Sequence, residues 1–133
     1  MFANYKLHHV GIVLPSLDDA ARHMEQFGLI EDYRGYVDQW HCWCIFAKPG
    51  IGETAVELVV ADEGPLLRFN RGVGGVHHFA YEIADWDEVA RWCASSDMSL
   101  LEPAPVKGAG NFLCNFINPV ATRGIQIELV QPL

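Results

Sequence analysis

A chain of 133 residues, half of them apolar and a fifth charged, has room for one domain or for two small halves sharing a core. The composition is that of a globular protein and excludes a disordered one. A formal charge of −8 argues against nucleic acid as a partner, because phosphate binding needs a basic patch. No apolar run approaches the roughly 20 residues that span a bilayer, so no membrane span is expected. The opening MFANYKLHHV has no apolar signal core. Four cysteines (Cys42, Cys44, Cys93, Cys114) form neither a CxxC pair nor a dense framework, which reads as reduced thiols in a cytoplasmic protein.

The first strand is expected over about 6–14. Pro15 ends it, and Ser16 caps a helix with Asp18 and Asp19 in its first turn, where the helix dipole favours them. That helix runs to about Gln26 and closes at Gly28. Strand-like runs follow at about 30–37, 41–47 and 54–60. A linker, 63–72, carries Gly64-Pro65 and PLLRFN, which allows one helical turn. A strand over 75–83 comes next, then a helix over 85–95 capped by Asp85. Strands are expected near 98–102, 111–117 and 124–130. The stretch PVKGAGN (105–111) reads as a mobile loop at a cleft mouth, its glycines permitting the backbone to bend.

The order repeats, and so do the residues. LHHVGIVLPSLDDAAR (7–22) matches VHHFAYEIADWDEVAR (76–91) at a shift of 69. His8 falls on His77, His9 on His78, Asp18 on Asp87, Ala21 on Ala90 and Arg22 on Arg91. The copies also end alike, in VELV (56–59) and IELV (127–130), so that Glu57 corresponds to Glu128. The chain is therefore read as one domain of two β-α-β-β-β modules, about 1–62 and 73–133.

Side chains alternate along a strand. His8, Val10, Ile12 and Leu14 share one face, and the bulky face belongs under the helix. His9, Gly11 and Val13 share the other. His77, Phe79, Tyr81 and Ile83 are likewise set against His78, Ala80 and Glu82. This assigns His8 and His77 to helix packing or backbone bonds. It assigns His9 and His78 to an open face, beside small neighbours that leave room for a ligand. Glu57 and Glu128 each interrupt an apolar strand, and a buried carboxylate needs a partner. A lone buried histidine is most simply a hydrogen-bonded core residue, and a lone strand glutamate most simply faces solvent. Four such residues in symmetric places point instead to a divalent metal held between the modules, with water in further positions.

The segments LHHVGIVLPSLDDA (7–20), VELVV (56–60), GGVHHFAYEI (74–83), FINP (116–119) and GIQIELVQ (124–131) resemble the vicinal oxygen chelate (glyoxalase/bleomycin resistance/dioxygenase) superfamily. Within it they look most like the methylmalonyl-CoA epimerase branch, with GGVHHFAYEI the most specific segment. The resemblance covers nearly the whole chain. It implies an α+β fold in which two tandem βαβββ modules form a curved sheet around a metal cleft. The family's ligand positions fall on His9, Glu57, His78 and Glu128. The implied cofactor is a divalent ion: cobalt, nickel, manganese or zinc.

The implied function is a metal-dependent epimerase or isomerase that moves a proton alpha to a carbonyl, on a methylmalonyl-CoA-like acyl-CoA thioester. Glu128 is the implied first acid–base group. Some relatives place a second acid–base carboxylate on the third strand of the first module. Here that stretch is WHCWCIFAKPG (40–50), and Cys44 stands at the nearest position with His41 close by. Either is a candidate to return the proton, with a small core residue and a surface histidine as the plainer readings. Lys107 is the candidate for an anionic substrate group, and Arg34, Arg68, Arg71 and Arg123 are further cations in loops or at strand ends. Trp43 and Phe112, with Trp40 and Phe116, are candidate pocket walls or plain core.

Two other readings remain. One is a glyoxalase I-like lyase acting on a glutathione hemithioacetal, which the same four ligands suit. The other is a metal-free small-molecule or antibiotic-binding protein, which would not need the four together. A ring-cleaving dioxygenase, with two His and one carboxylate, fits four candidate ligands less well. A homodimer is expected from the resemblance.

Overall fold

The computed structural model describes residues 6–133, so the first five residues of the first module lie outside it. Strand β1 (Leu7–Val13) stops before Pro15, which has no N–H for a ladder. Ser16 caps helix α1 (Leu17–Phe27), its hydroxyl oxygen accepting from the Asp19 N–H at 3.0 Å. Gly28 closes α1 in the left-handed region at φ 63°, its N–H bonding back to Met24 and Glu25 carbonyls. Strands β2 (Glu31–Val37), β3 (Cys42–Ala47) and β4 (Ala55–Ala61) follow, with a 3-10 turn at Asp38–Trp40. The linker forms short 3-10 turns over Pro65–Gly72. Then come β5 (Gly75–Glu82) and α2 (Trp86–Ala94), capped by the Asp85 carboxylate on the Asp87 N–H. Strands β6 (Val106–Lys107), β7 (Phe112–Phe116) and β8 (Ile127–Pro132) complete the chain.

One expected strand moves. Near 98–102 only Leu100 makes a bridge, to Ile117. The strand pairing with β7 is instead Val106–Lys107, inside the stretch read as a mobile loop. Pro103 and Pro105 lack the N–H groups that would propagate a ladder from 98–102. A buried side chain substitutes for the missing neighbour. Asn115 accepts from the Glu102 N–H at 3.1 Å and donates to its carbonyl at 3.0 Å.

The eight strands form one sheet in the order β2-β3-β4-β1-β5-β8-β7-β6. The order is symmetric about the antiparallel β1–β5 pair, and β1–β4 and β5–β8 are the parallel neighbours. The curved sheet nearly closes on itself. A Cβ on Gly35 of β2 would stand 2.7 Å from the Ala109 carbonyl oxygen, and one on Gly110 would stand 2.6 Å from the Tyr33 hydroxyl. Helix α1 covers one half of the outer face, packing its Ala20 against Ile45, Leu58 and Val60. Helix α2 covers the other, packing its Val89 against Ile83, Ile117 and Leu129. The inner face carries a third cluster that includes Val13, Phe46, Val59, Cys114 and Val130. Each fully buried large side chain, such as Phe46 or Leu58, contributes about 1.5–3 kcal/mol of transfer free energy. No helix among the described residues is long and apolar enough to cross a membrane.

Candidate active site

The four innermost strands each deliver one polar side chain to the concave face: His9 from β1, Glu57 from β4, His78 from β5 and Glu128 from β8. All four are buried. His9 Nε2 lies 3.0 Å from His78 Nε2, 3.2 Å from Glu57 Oε2 and 2.9 Å from Glu128 Oε2. His78 Nε2 lies 3.1 Å from Glu57 Oε2 and 3.2 Å from Glu128 Oε2. The ligand atoms of His9, Glu57 and His78 all fall within 4.8 Å of one another.

Glu128 Oε2 is the telling atom. It is close to both imidazoles yet accepts no well-directed hydrogen bond. The atoms converge on a common space more than on one another's protons. The five separations above, 2.9–3.2 Å, are within the span of atoms that each lie about 2.0–2.2 Å from one ion. Two imidazoles and two carboxylates also suit a divalent ion of borderline hardness. The residues therefore fit a metal.

The doubled histidines depart from strict alternation. Across β1 and β5, Leu7 pairs with Tyr81 but His9 with Ala80, leaving His8 as an extra residue. Gly11 pairs with His78 but Ile12 with Val76, leaving His77 extra on the other strand. Two bulges thus flank the shared centre. Each turns both rings of its pair toward one another. His8 Nδ1 lies 2.7 Å from His9 Nδ1, and His77 Nδ1 lies 2.9 Å from His78 Nδ1. The expectation that His8 and His77 pack under helices is corrected: His8 stands beside Phe112, and His77 beside Phe69. The space beside Gly11 is not ligand space either, since the His78 ring fills it.

Burial opposes the charged form of every group here, and the pairing overrides it. Against that burial, the two carboxylates raise His9 to about 9 and His78 to about 10. The same burial is outweighed by both imidazoles for the acids, leaving Glu57 well below its usual range and Glu128 at about 2. His77 goes the other way: burial, then His78, lowers it to about 4. Burial and His9 lower His8 as well. Burial thus disfavours the charged form of both outer histidines.

A cavity of about 290 Å³ opens over this cluster. Trp40, Leu66, Phe112 and Phe116 make its apolar wall, with His78, Glu57 and Glu128 at its base. Phe112 is therefore where expected. Cys44 also lines the cavity, and its bond to Cys42, its burial and Glu57 keep its thiol well above the ordinary value. The Cys42 and Cys44 sulfurs are 3.8 Å apart. His41 caps the 3-10 turn in the left-handed region at φ 51°. It reaches the cavity edge, half exposed, and pairs through Nδ1 with Glu63 at 2.8 Å. Lys107 is exposed and donates to the Gly110 carbonyl, apart from the cavity lining.

Trp43 is not a pocket wall. Alternation on β3 puts Cys42, Cys44 and Phe46 inward, and turns Trp43 outward with Ile45 toward α1, where its ring meets Tyr36. Among the cavity residues that escaped the sequence reading are Leu66 from the linker and the bulged His77. The linker's apolar pair Leu66-Leu67 beside Pro65 was the available signal.

Comparison with known proteins agrees with this architecture. The model of the Glyoxalase/Bleomycin resistance protein/Dioxygenase superfamily matches residues 8–116. The mitochondrial methylmalonyl-CoA epimerase of Dictyostelium discoideum is 26% identical over 129 residues, covering 93% of this chain and 76% of that protein. The crystal structure of methylmalonyl-CoA epimerase from Mycobacterium tuberculosis superposes with a TM-score of 0.86 at 24% identity, covering 96% of this chain and 87% of that one. A selenomethionine methylmalonyl-CoA epimerase gives 0.80 at 28% identity, covering 96% and 94%. A sheet of eight strands, its symmetric order and a family match across most of its length lead to one conclusion: the chain belongs to the Glyoxalase/Bleomycin resistance protein/Dioxygenase superfamily.

Proposed function

We propose that this protein is a metal-dependent epimerase that moves the proton alpha to the carbonyl of an acyl-CoA thioester of the methylmalonyl type. The observation that carries this reading is the convergence of His9, Glu57, His78 and Glu128 beneath an apolar cavity. These four side chains would hold a divalent ion. When bound, such an ion supplies Lewis-acid stabilisation for charge developing on a carbonyl oxygen. Homology to methylmalonyl-CoA epimerase supports the substrate class.

The protein's own groups have the right starting states for two-sided proton transfer. Glu128 is ionised and can accept the α-proton. Cys44, on β3 across the cavity floor, keeps its proton and can return one. His41 is the weaker candidate for that role, because Glu63 holds it at the rim. Trp40, Phe112 and Phe116 shield the acyl group from water, which strengthens every charge interaction below them. Lys107, exposed outside the wall and donating to the Gly110 carbonyl, is the candidate for an anionic part of the substrate that extends into solvent.

The test is deuterium wash-in at the α-carbon of methylmalonyl-CoA, using protein stripped with chelator and reloaded with cobalt or nickel. Metal-dependent exchange that Glu128→Gln abolishes is the expected result. Binding of metal without exchange would reject the thioester. A second reading, a lyase on a glutathione hemithioacetal, is favoured by one observation: β3 carries two thiols and no carboxylate, as one-base chemistry would allow. Exchange with that substrate alone would establish it.

A further inference from the structure

We infer that His8 and His77 are positioning residues for the candidate metal centre, each fixing the tautomer and orientation of the histidine that follows it. The inference rests on the ligand set proposed above, and concerns residues outside it.

The geometry begins with the backbone. In a regular strand, neighbouring side chains point to opposite faces. An inserted residue breaks that rule locally and can bring two consecutive side chains together. The β1–β5 pair contains two such insertions, one at His8 and one at His77, placed symmetrically about the shared centre. In both, the rings meet edge to face with centroids 5.1 Å apart. In both, the contact is Nδ1 to Nδ1, at 2.7 Å and 2.9 Å. The two bulges arise on different strands, so one accident of packing does not explain both.

A bond between two Nδ1 atoms holds one proton. His9 and His78 turn their Nε2 atoms to the common space. An imidazole that ligates through Nε2 carries its proton on Nδ1 and must place it on an acceptor. His8 and His77 supply that acceptor. Metal-ligating histidines generally need such an outer partner, and losing it typically costs 10–100-fold in metal affinity (about that range). Partners of this kind are usually carboxylates or carbonyls. Here the chain uses an imidazole instead, beside each of the two histidine ligands.

The surroundings agree. His8 packs between aromatic rings, with Phe112 and Phe46 at centroid distances of 5.3 and 6.4 Å. His77 is bracketed by Phe69 and Phe116. Rings on the outside hold each outer imidazole in plane and leave its Nδ1 for the inner one.

The experiment is cobalt(II) titration of the full chain and of His8→Asn, His8→Gln, His77→Asn and His77→Gln, followed by the visible absorption of the bound ion and by thermal unfolding of each metal-free protein. An asparagine amide reaches the position of Nδ1, whereas a glutamine amide reaches that of Nε2. The Asn variants should keep near wild-type affinity and spectrum. The Gln variants should bind about 10–100-fold more weakly with a changed spectrum, at unchanged metal-free stability. Gln variants that bind cobalt as the wild type does would overturn the positioning role. So would Asn and Gln variants weakened alike. A wild-type chain that binds no cobalt would instead reject the metal centre itself, and the inference with it.

Discussion

The imidazole of His78 occupies the space in which residue 11 would carry a side chain: a Cβ on Gly11 would stand 2.0 Å from His78 Cε1 and 2.5 Å from its Nε2. Glycine at this position is therefore a condition of the site, because the ring approaches the β1 backbone itself. Gly11→Ala should displace His78 and lower metal affinity by about tenfold or more, at a stability cost of about 1–3 kcal/mol from overpacking. Cobalt titration and denaturant unfolding measure the two effects. An alanine variant with unchanged affinity would mean that His78 does not hold the ion in this orientation.

Metal removal has its own signature. Two buried carboxylates that lose a cation keep only the imidazoles as partners. At a concentration a hundred times its Kd, a ligand that binds only the folded state adds about 2.7 kcal/mol, and for a domain of this size that raises Tm by about 10 °C. Chelator should lower the Tm by that amount, and cobalt or nickel should restore it. Glu57→Gln and Glu128→Gln should each shrink the shift. An equal shift in all three proteins would place the binding elsewhere.

The proton balance of loading follows from the raised histidines. In the metal-free protein His9 and His78 stand at about 9 and 10, so both hold a second proton at pH 7. A ligating imidazole is neutral, and binding must expel protons. Apparent affinity should therefore climb as pH rises and level off above about 10. Calorimetry in buffers of different ionisation enthalpy should count about two protons released per ion near pH 7. The metal-free fold has the opposite trend. Its raised histidines stabilise it below their ordinary value of 6.5, and that contribution fades as pH rises through 9–10. No proton release near neutrality would contradict the ionised state of the four-residue cluster.

The two cavity-side tryptophan candidates separate by face. Trp40 lines the cavity, while Trp43 packs behind β3 toward α1. Phe116→Ala and Trp40→Ala should raise KM several-fold with small effects on Tm. Trp43→Ala should leave KM unchanged and cost about 2 kcal/mol of stability, less than a fully buried aromatic. Steady-state kinetics and unfolding curves on the three variants decide the assignment. A raised KM in Trp43→Ala would count against the observed face of β3.

Much of this architecture was legible because it occurs twice. The repeated HH, helix and ELV segments place His9 against His78 and Glu57 against Glu128 without any coordinates, and the caps Ser16, Gly28 and Asp85 follow from local chemistry. What failed were features decided by contacts between segments. Strict alternation sent His8 and His77 under the helices, since a bulge is set by the partner strand's register and leaves no mark in one strand alone. The strand near 98–102 lost its ladder to two prolines and to the Asn115 side chain, a partner from a different stretch of chain. Trp43 and Trp40 look alike as pocket aromatics by residue type, although the period of β3 separates Trp43 from the inward Cys42 and Cys44. Leu66 reaches the cavity only because the linker folds back over it.

The remaining question of chemistry lies between Cys44 and His41, and their surroundings answer it differently. Cys44 sits on the cavity floor with its thiol held protonated by Cys42, burial and Glu57. His41 is half exposed and tied to Glu63 at 2.8 Å. A proton donor must stay within reach of the bound substrate, and Cys44 is held in the cavity lining by its strand. Cys44→Ala should therefore keep metal binding and keep Glu128-dependent exchange of the proton that Glu128 faces. It should lose interconversion of the two stereoisomers by about 10²–10⁴-fold, the usual effect of removing a general acid. His41→Ala should leave both rates near wild type. Chiral analysis of thioester incubated in deuterium oxide distinguishes exchange from inversion in one sample. Inversion that survives in Cys44→Ala but fails in His41→Ala would transfer the role to the rim histidine, and inversion lost in neither would mean that a water molecule over the cavity returns the proton.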